Sequence, residues 1–186
     1  MLHKNLPSII GLTAIATSSL HILSDLLELI GGGFSASQLW INYVAFLPIP
    51  FLAIGLYAVQ LPRAGWMSLA GAVAYGTSFI FFSGTTLYAL VAKTEDYSTL
   101  LNELGHIYTF YGGLMVAGGI LFGMAAIKAK VLPKWTGWCL ILGVGLNLLF
   151  SLLAFPDLSQ IIGSIFRNIA FIGMGTAILK TRKNSH

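Results

Sequence analysis

Apolar residues run along this chain in long blocks. Six stretches, at about 6–30, 37–60, 65–92, 98–128, 135–155 and 158–179, are separated by short polar breaks. About 20 mostly apolar residues cross the hydrocarbon of a bilayer as a helix, which satisfies its own backbone where no water is present. The breaks carry helix punctuation. Pro7 stands near the start of the first stretch and Gly31-Gly32-Gly33 closes it. Pro48 and Pro50 fall inside the second, where they predict a bend and freed carbonyls. The pattern predicts an all-α fold, a membrane bundle of six transmembrane helices, with residues 1–186 forming one domain.

Charge orients the bundle. The six carboxylates, Asp25, Glu28, Glu95, Asp96, Glu103 and Asp157, gather at one set of span ends. Lys4, Arg63, Lys128, Lys130, Lys134, Lys180, Arg182 and Lys183 gather at the other. Lysine and arginine accumulate on the cytoplasmic side, so both termini are expected there and the acids outside. Trp66, Trp135 and Trp138 then mark the inner interface, and Trp40 with Tyr43 the outer one. Asp25 and Glu28 interrupt the approach to any small-residue cleavage site near Ser35, so the first stretch reads as a retained span.

Composition agrees. The chain is 56% hydrophobic and 9% charged, with a mean hydropathy of +0.84. A soluble domain carries about 25% charged residues. The net charge of +4 is spread over short loops and a tail with no basic groove, so nucleic acid is not an expected partner. Cys139 stands alone inside an apolar stretch, which excludes an intrachain disulfide and any cysteine metal motif.

Candidate chemistry lies in the outer half. His21, Asp25 and Glu28 share one face of the first span through offsets of four and three. At about 1.5 Å per residue, His21 lies roughly 10 Å below the outer boundary. Arg167, followed by Asn168, lies at nearly the same depth in the sixth span and calls for a partner; Asp25 or Glu28 is expected, with Glu103 and Asp157 the other acids within reach. The fourth span opens with Glu103, His106, Tyr108 and Tyr111, the first two sharing a face. Glu-x-x-His pairs occur in di-metal bundles, but a second such pair is missing here. Two histidines on facing helices can hold a b-type haem. His21 and His106 differ in depth, and no cofactor is expected. Asn42, and Ser83, Thr85 and Thr86, extend the polar outer region, with Asn147 near mid-span; the inner half is almost purely apolar.

The ionisable set supports acid/base roles for His21, Asp25 and Glu103, with Glu28, Asn42, His106, Tyr111 and Arg167 as ligand contacts. The expected ligand is a small amphiphilic or lipid-like molecule held in an outer-half cavity. A proton-coupled carrier and a structural membrane subunit are the alternatives.

Two turns repeat. Leu61-Pro62-Arg63-Ala64-Gly65-Trp66 recurs as Leu132-Pro133-Lys134-Trp135-Thr136-Gly137-Trp138, with Gly71 and Gly143 at matching places beyond. Either two similar turns or a duplicated helix hairpin produces this. Small residues also recur every four positions at Ser68, Ala72 and Gly76, and at Gly119 and Gly123, a spacing that lets helices approach closely within the monomer or across a homodimer. The Leu-Pro-basic turn followed by Gly-Trp and an apolar span resembles small multi-pass bacterial membrane proteins of unknown function. The resemblance covers mainly the fourth to sixth spans. It implies a bacterial inner-membrane protein and brings no functional residues with it.

Overall fold

A computed structural model describes residues 2–153 and 159–183, without the side chains of 2–4 and 182. Asp157 lies outside the described residues, as do the expected end of the fifth span and start of the sixth. The elements are α1 (Leu2–Gly31), α2 (Ala36–Phe46), α3 (Ile49–Val59), α4 (Trp66–Ala92), α5 (Tyr97–Ala129), α6 (Lys134–Leu152) and α7 (Gln160–Lys183). Among the described residues there is no strand. Six segments are long and apolar enough to cross a membrane, with α2 and α3 together making the second.

The second span is broken because Pro48 and Pro50 bring no backbone N–H to the ladder. The backbone at Leu47 and Pro48 stays right-handed, and the Leu52 N–H restarts the ladder on the Pro48 carbonyl at 2.9 Å. A second irregularity was not anticipated. Inside α5, Gly105 has φ +55° and ψ −131°, outside helical geometry. A side chain there would clash with its own backbone, so glycine is what permits the kink.

Caps fix the loops at the acidic end. Ser35 accepts from the Gln38 N–H at 3.3 Å, and Asp96 accepts from the Thr99 N–H at 2.8 Å. The Asp96 carboxyl is held below the ordinary carboxylate range, first by that backbone bond and then by the Thr99 side chain. The Phe34 N–H donates to the Glu95 carbonyl at 2.7 Å, joining the two loops of that end.

The spans form a closed ring. Each packs on its chain neighbours, and α1 packs on α7 to close the circle. Lipid offers no hydrophobic drive for helix association, so contact rests on close packing. The ring provides it with glycine at facing positions. A Cβ added to Gly71 of α4 would lie 2.5 Å from the Phe122 nitrogen, and one on Gly118 of α5 would lie 2.5 Å from the Tyr75 nitrogen. Gly123 faces Gly137 between α5 and α6, Gly143 faces Gly163 between α6 and α7, and Gly11 faces Gly175 between α1 and α7. The repeated Gly71 and Gly143 thus do the same work in two successive hairpins. Ser68, Ala72 and Gly76 are all buried, and Gly76 abuts Pro50 of α3. The small-residue row therefore packs inside the monomer.

The two halves of the ring are filled differently. Toward the basic end Ile10, Leu56, Phe122, Leu140, Val144, Met174 and Ile178 pack a dry core. Large apolar side chains such as Phe51, Ile80 and Val91 point outward, the reverse of a water-soluble bundle.

Candidate functional site

The acidic half of the ring encloses a cavity of about 320 Å³. This is the low end of the range for small-molecule sites. Its wall includes His21, Asp25 and Glu28 from α1, Asn42 and Phe46 from α2, Phe79 and Phe82 from α4, Tyr108 and Met115 from α5, Asn147 from α6, and Ser164 and Arg167 from α7.

One seam holds a hydrogen-bond cluster. Ser164 Oγ donates to Asp25 Oδ2 at 2.6 Å. Asn168 Nδ2 donates to Ser164 Oγ at 3.2 Å, and His21 Nε2 lies 3.3 Å from the same oxygen. His21 Nε2 is also 3.6 Å from Asp25 Oδ1. A hydroxyl has one donor and two acceptor sites. With its proton donated to an ionised Asp25, Ser164 accepts from Asn168 and from the Nε2–H of an imidazolium His21. With Asp25 protonated, the carboxyl donates to Ser164 and Ser164 donates to His21. The cluster therefore has two satisfied hydrogen-bond arrangements that differ by where a proton sits. It is not a serine–histidine–acid triad, because the carboxylate meets the serine and the same histidine nitrogen, leaving no relay through the far side of the ring. The imidazole is held edge-on by Phe46, with ring centroids 4.7 Å apart.

Arg167 is a different case. It is only 7% exposed. Its Nη1 donates to Met115 Sδ at 2.8 Å, and its guanidinium carbon sits 5.9 Å from the centre of the Phe79 ring. Its Nε is buried with no hydrogen-bond partner. Among the described residues no carboxylate lies within ion-pairing distance of it; Asp25 is approached instead by the His21 ring. The expected pairing with Asp25 or Glu28 is thus corrected. Asp25 is engaged by Ser164, and the Gln38 Nε2 reaches Glu28 at 3.4 Å from the side of α2. Sulfur, an aromatic face and the Tyr75 side chain, which hydrogen-bonds Arg167, stand where an acid was expected. The guanidinium faces a cavity with donor capacity unspent.

The residues nominated from sequence divide into two groups. His21, Asp25, Glu28, Asn42 and Arg167 line the cavity together. Asn42 brings an Oδ1 that is buried without a partner. Glu103, His106 and Tyr111 do not line it. Glu103 is exposed and accepts from Thr94 Oγ1 at 3.1 Å, holding the α4–α5 loop. His106 is exposed, one residue beyond the Gly105 kink. Tyr111 stacks on Phe81 at 4.2 Å with the rings 9° from parallel. The Gly105 kink interrupts the helical spacing on which Glu103 was aligned with His106. His21 and His106 accordingly do not face a common space, and among the described residues no three histidine, cysteine or acid side chains group as a metal site.

Ser164, Met115, Phe79 and Phe46 were missed. Ser164 had a signal: it precedes Arg167 and Asn168 by three and four residues, hence shares their face. Met115 and the phenylalanines had none, since apolar residues inside a span look alike. Ser83, Thr85 and Thr86 bond carbonyls of their own helix.

Fold and cavity together define a class: a multi-pass helical membrane protein with an ionisable pocket in one half of the bundle. Comparisons with protein-family models, curated proteins and solved structures gave no match.

Proposed function

We propose that the protein binds a small amphiphilic molecule with an anionic head and acts on it, or senses it, through the His21–Ser164–Asp25 cluster. One observation carries this reading. Arg167 is a buried, permanently charged group on a cavity wall with no carboxylate within ion-pairing distance among the described residues and an unpartnered Nε. A charge at membrane depth costs about 2.5–3.5 kcal/mol or more unless it is compensated. An incoming carboxylate or phosphate supplies that compensation. The aromatic and aliphatic wall from Phe46, Phe79, Phe82 and Val116 suits the apolar remainder of such a molecule.

In this reading Arg167 holds the head and Asn42 Oδ1 accepts from any donor the ligand brings. His21 and Asp25 exchange a proton through the Ser164 hydroxyl, giving an acid and a base a few ångströms apart. The apolar packing of the basic half favours a closed-ended pocket over a conduit across the bilayer. We further read the basic end as cytoplasmic, in a bacterial inner membrane, from the lysine and arginine bias of the loops.

Native mass spectrometry on the protein in nanodiscs tests the head-group chemistry. Oleate and dodecyl phosphate should remain bound to the wild type and be lost from Arg167→Gln. If oleyl alcohol is retained as well as oleate, the anion reading is wrong.

A further inference from the structure

The cavity has a side door. Of the residues that line it, those exposed on the outside of the ring are Thr109, Gly113, Leu148, Ser151 and Leu152. All belong to α5 and α6. Lining residues from α1, α2, α4 and α7 are buried or half-buried. Among the described residues, the most exposed part of the cavity wall is therefore the α5–α6 seam.

The glycines explain why that seam is open. Toward the basic end α5 and α6 lock where Gly123 meets Gly137, and Gly119 meets Val144. Beyond that crossing the glycines of the two helices meet no neighbour. A Cβ added at Gly112, Gly113 or Gly145 would find no atom within 4 Å. The two helices share a tight crossing at one end and a gap at the other. What surrounds the gap is greasy. Ile107 and Phe110 on α5, and Leu149 and Leu153 on α6, are exposed. A seam lined by apolar side chains near the end of a membrane helix faces acyl chains rather than water.

We propose that this seam is a lateral portal through which an acyl-chain carboxylate or phosphate enters from the bilayer, its head seated at Arg167 and its tail left in lipid. The proposal rests on the anionic-amphiphile reading of the pocket and adds the source and route of the ligand. Three observations converge. Met115, which touches Arg167, lies two and three residues from Gly113 and Gly112 along α5, so the guanidinium is about one helical turn from the opening. The cavity, at about 320 Å³, accommodates a head and a short length of chain, and the opening lets the rest project outward. On the described α7 wall the charged side chain is the cation Arg167, complementary to an acidic head, while the acids Asp25 and Glu28 lie on the α1 side of the cavity.

The test closes the portal in a folded protein. Gly113→Cys and Leu148→Cys are combined in a Cys139→Ala chain and joined with a bis-maleimide; the same protein capped with N-ethylmaleimide is the open control. Uptake of oleate from vesicles is measured for both, together with binding of butyrate, a water-borne carboxylate. Bridging should abolish oleate uptake, capping should not, and butyrate binding should survive bridging. Oleate uptake unchanged by the bridge overturns the portal while leaving the pocket intact, provided Arg167→Gln still abolishes it. Loss of butyrate and oleate together on bridging means the pocket has collapsed, and also overturns the portal. Failure of the open control to take up oleate overturns both the portal and the amphiphile reading. If the cysteine pair does not yield folded protein, Gly112→Leu, placed where open space exists, provides the same arms.

Discussion

Ser164 Oγ and Asp25 Oδ2 stand 2.6 Å apart, so the last described helix is tied to the first by a charge-assisted bond inside the bilayer. Ser164→Ala removes the donor to Asp25 and the acceptor for Asn168 together. Stranding buried polar groups costs about 1–3 kcal/mol. The variant should unfold at a lower temperature in detergent, and Ser164→Thr should recover most of the loss. Equal melting of Ser164→Ala and wild type would show that the bond contributes nothing net.

Arg167→Met should behave in the opposite way. Removing one member of a buried ion pair strands the other, but no described carboxylate lies within ion-pairing distance of Arg167. A buried cation without an ion-pair partner is costly to hold, so the variant is expected to melt no lower than the wild type. Retention of oleate should be lost in the same variant. A thermal melt in the absence of ligand checks the first half. Marked destabilisation would mean that the guanidinium holds the bundle together.

Two glycines should respond differently to the same kind of change. Gly118→Leu drives a side chain into the Tyr75 backbone of α4, which cannot yield, and should abolish recovery of monodisperse protein. Gly145→Ala meets open space and replaces a poor helix former, with a gain of about 1 kcal/mol. Size-exclusion profiles and melting temperatures of the pair would decide. If both variants purify alike, the α4–α5 crossing is looser than described.

Acid should loosen the α5 cap. The Asp96 carboxyl lies below its ordinary range because it accepts from the Thr99 N–H, so its contribution is present above the unfolded carboxylate value, about 3.9. It is lost as pH falls through the lower folded value. Asp96→Asn, which still caps but does not titrate, should lack this acid-side component. Hydrogen exchange at Thr99 between pH 5 and about 2.5 reads it directly; parallel profiles for the two proteins would exclude the cap as the titrating element.

Orientation has its own check. A reporter active only outside the cytoplasm, fused after His186, should be silent, and fluorescence from a cytoplasm-competent reporter at that position should be strong. The reverse pattern would invert the reading of the charge bias.

The spans were legible because twenty-residue apolar blocks leave a chain few choices in lipid. His21, Asp25 and Arg167 stood out because ionisable groups at that depth are costly. What could not be read was who faces whom. Ser164 shares a face with Arg167 and Asn168, but a membrane serine can equally bond its own backbone, as Ser78 and Ser83 do, so its bond to Asp25 was not legible. Arg167 was matched to an acid by charge, whereas Met115 and Phe79 occupy its surroundings, and neither carries a sequence mark of that role. The misplacement of His106 has a local cause. Helical spacing carries a face forward only while the helix continues, and Gly105 breaks it one residue earlier.

Closure of the ring by α1 against α7 has a consequence for how the molecule is made. A ribosome delivers His21 and Asp25 to the membrane long before Ser164, Arg167 and Asn168 exist. During that interval the α1 polar groups lack the partners that satisfy them later, and they must be sheltered by water, by the insertion machinery or by a transient neighbour. The pocket cannot mature gradually as helices arrive. It is absent in every nascent chain that stops before α7 and appears in a single step, when α7 docks between α6 and α1.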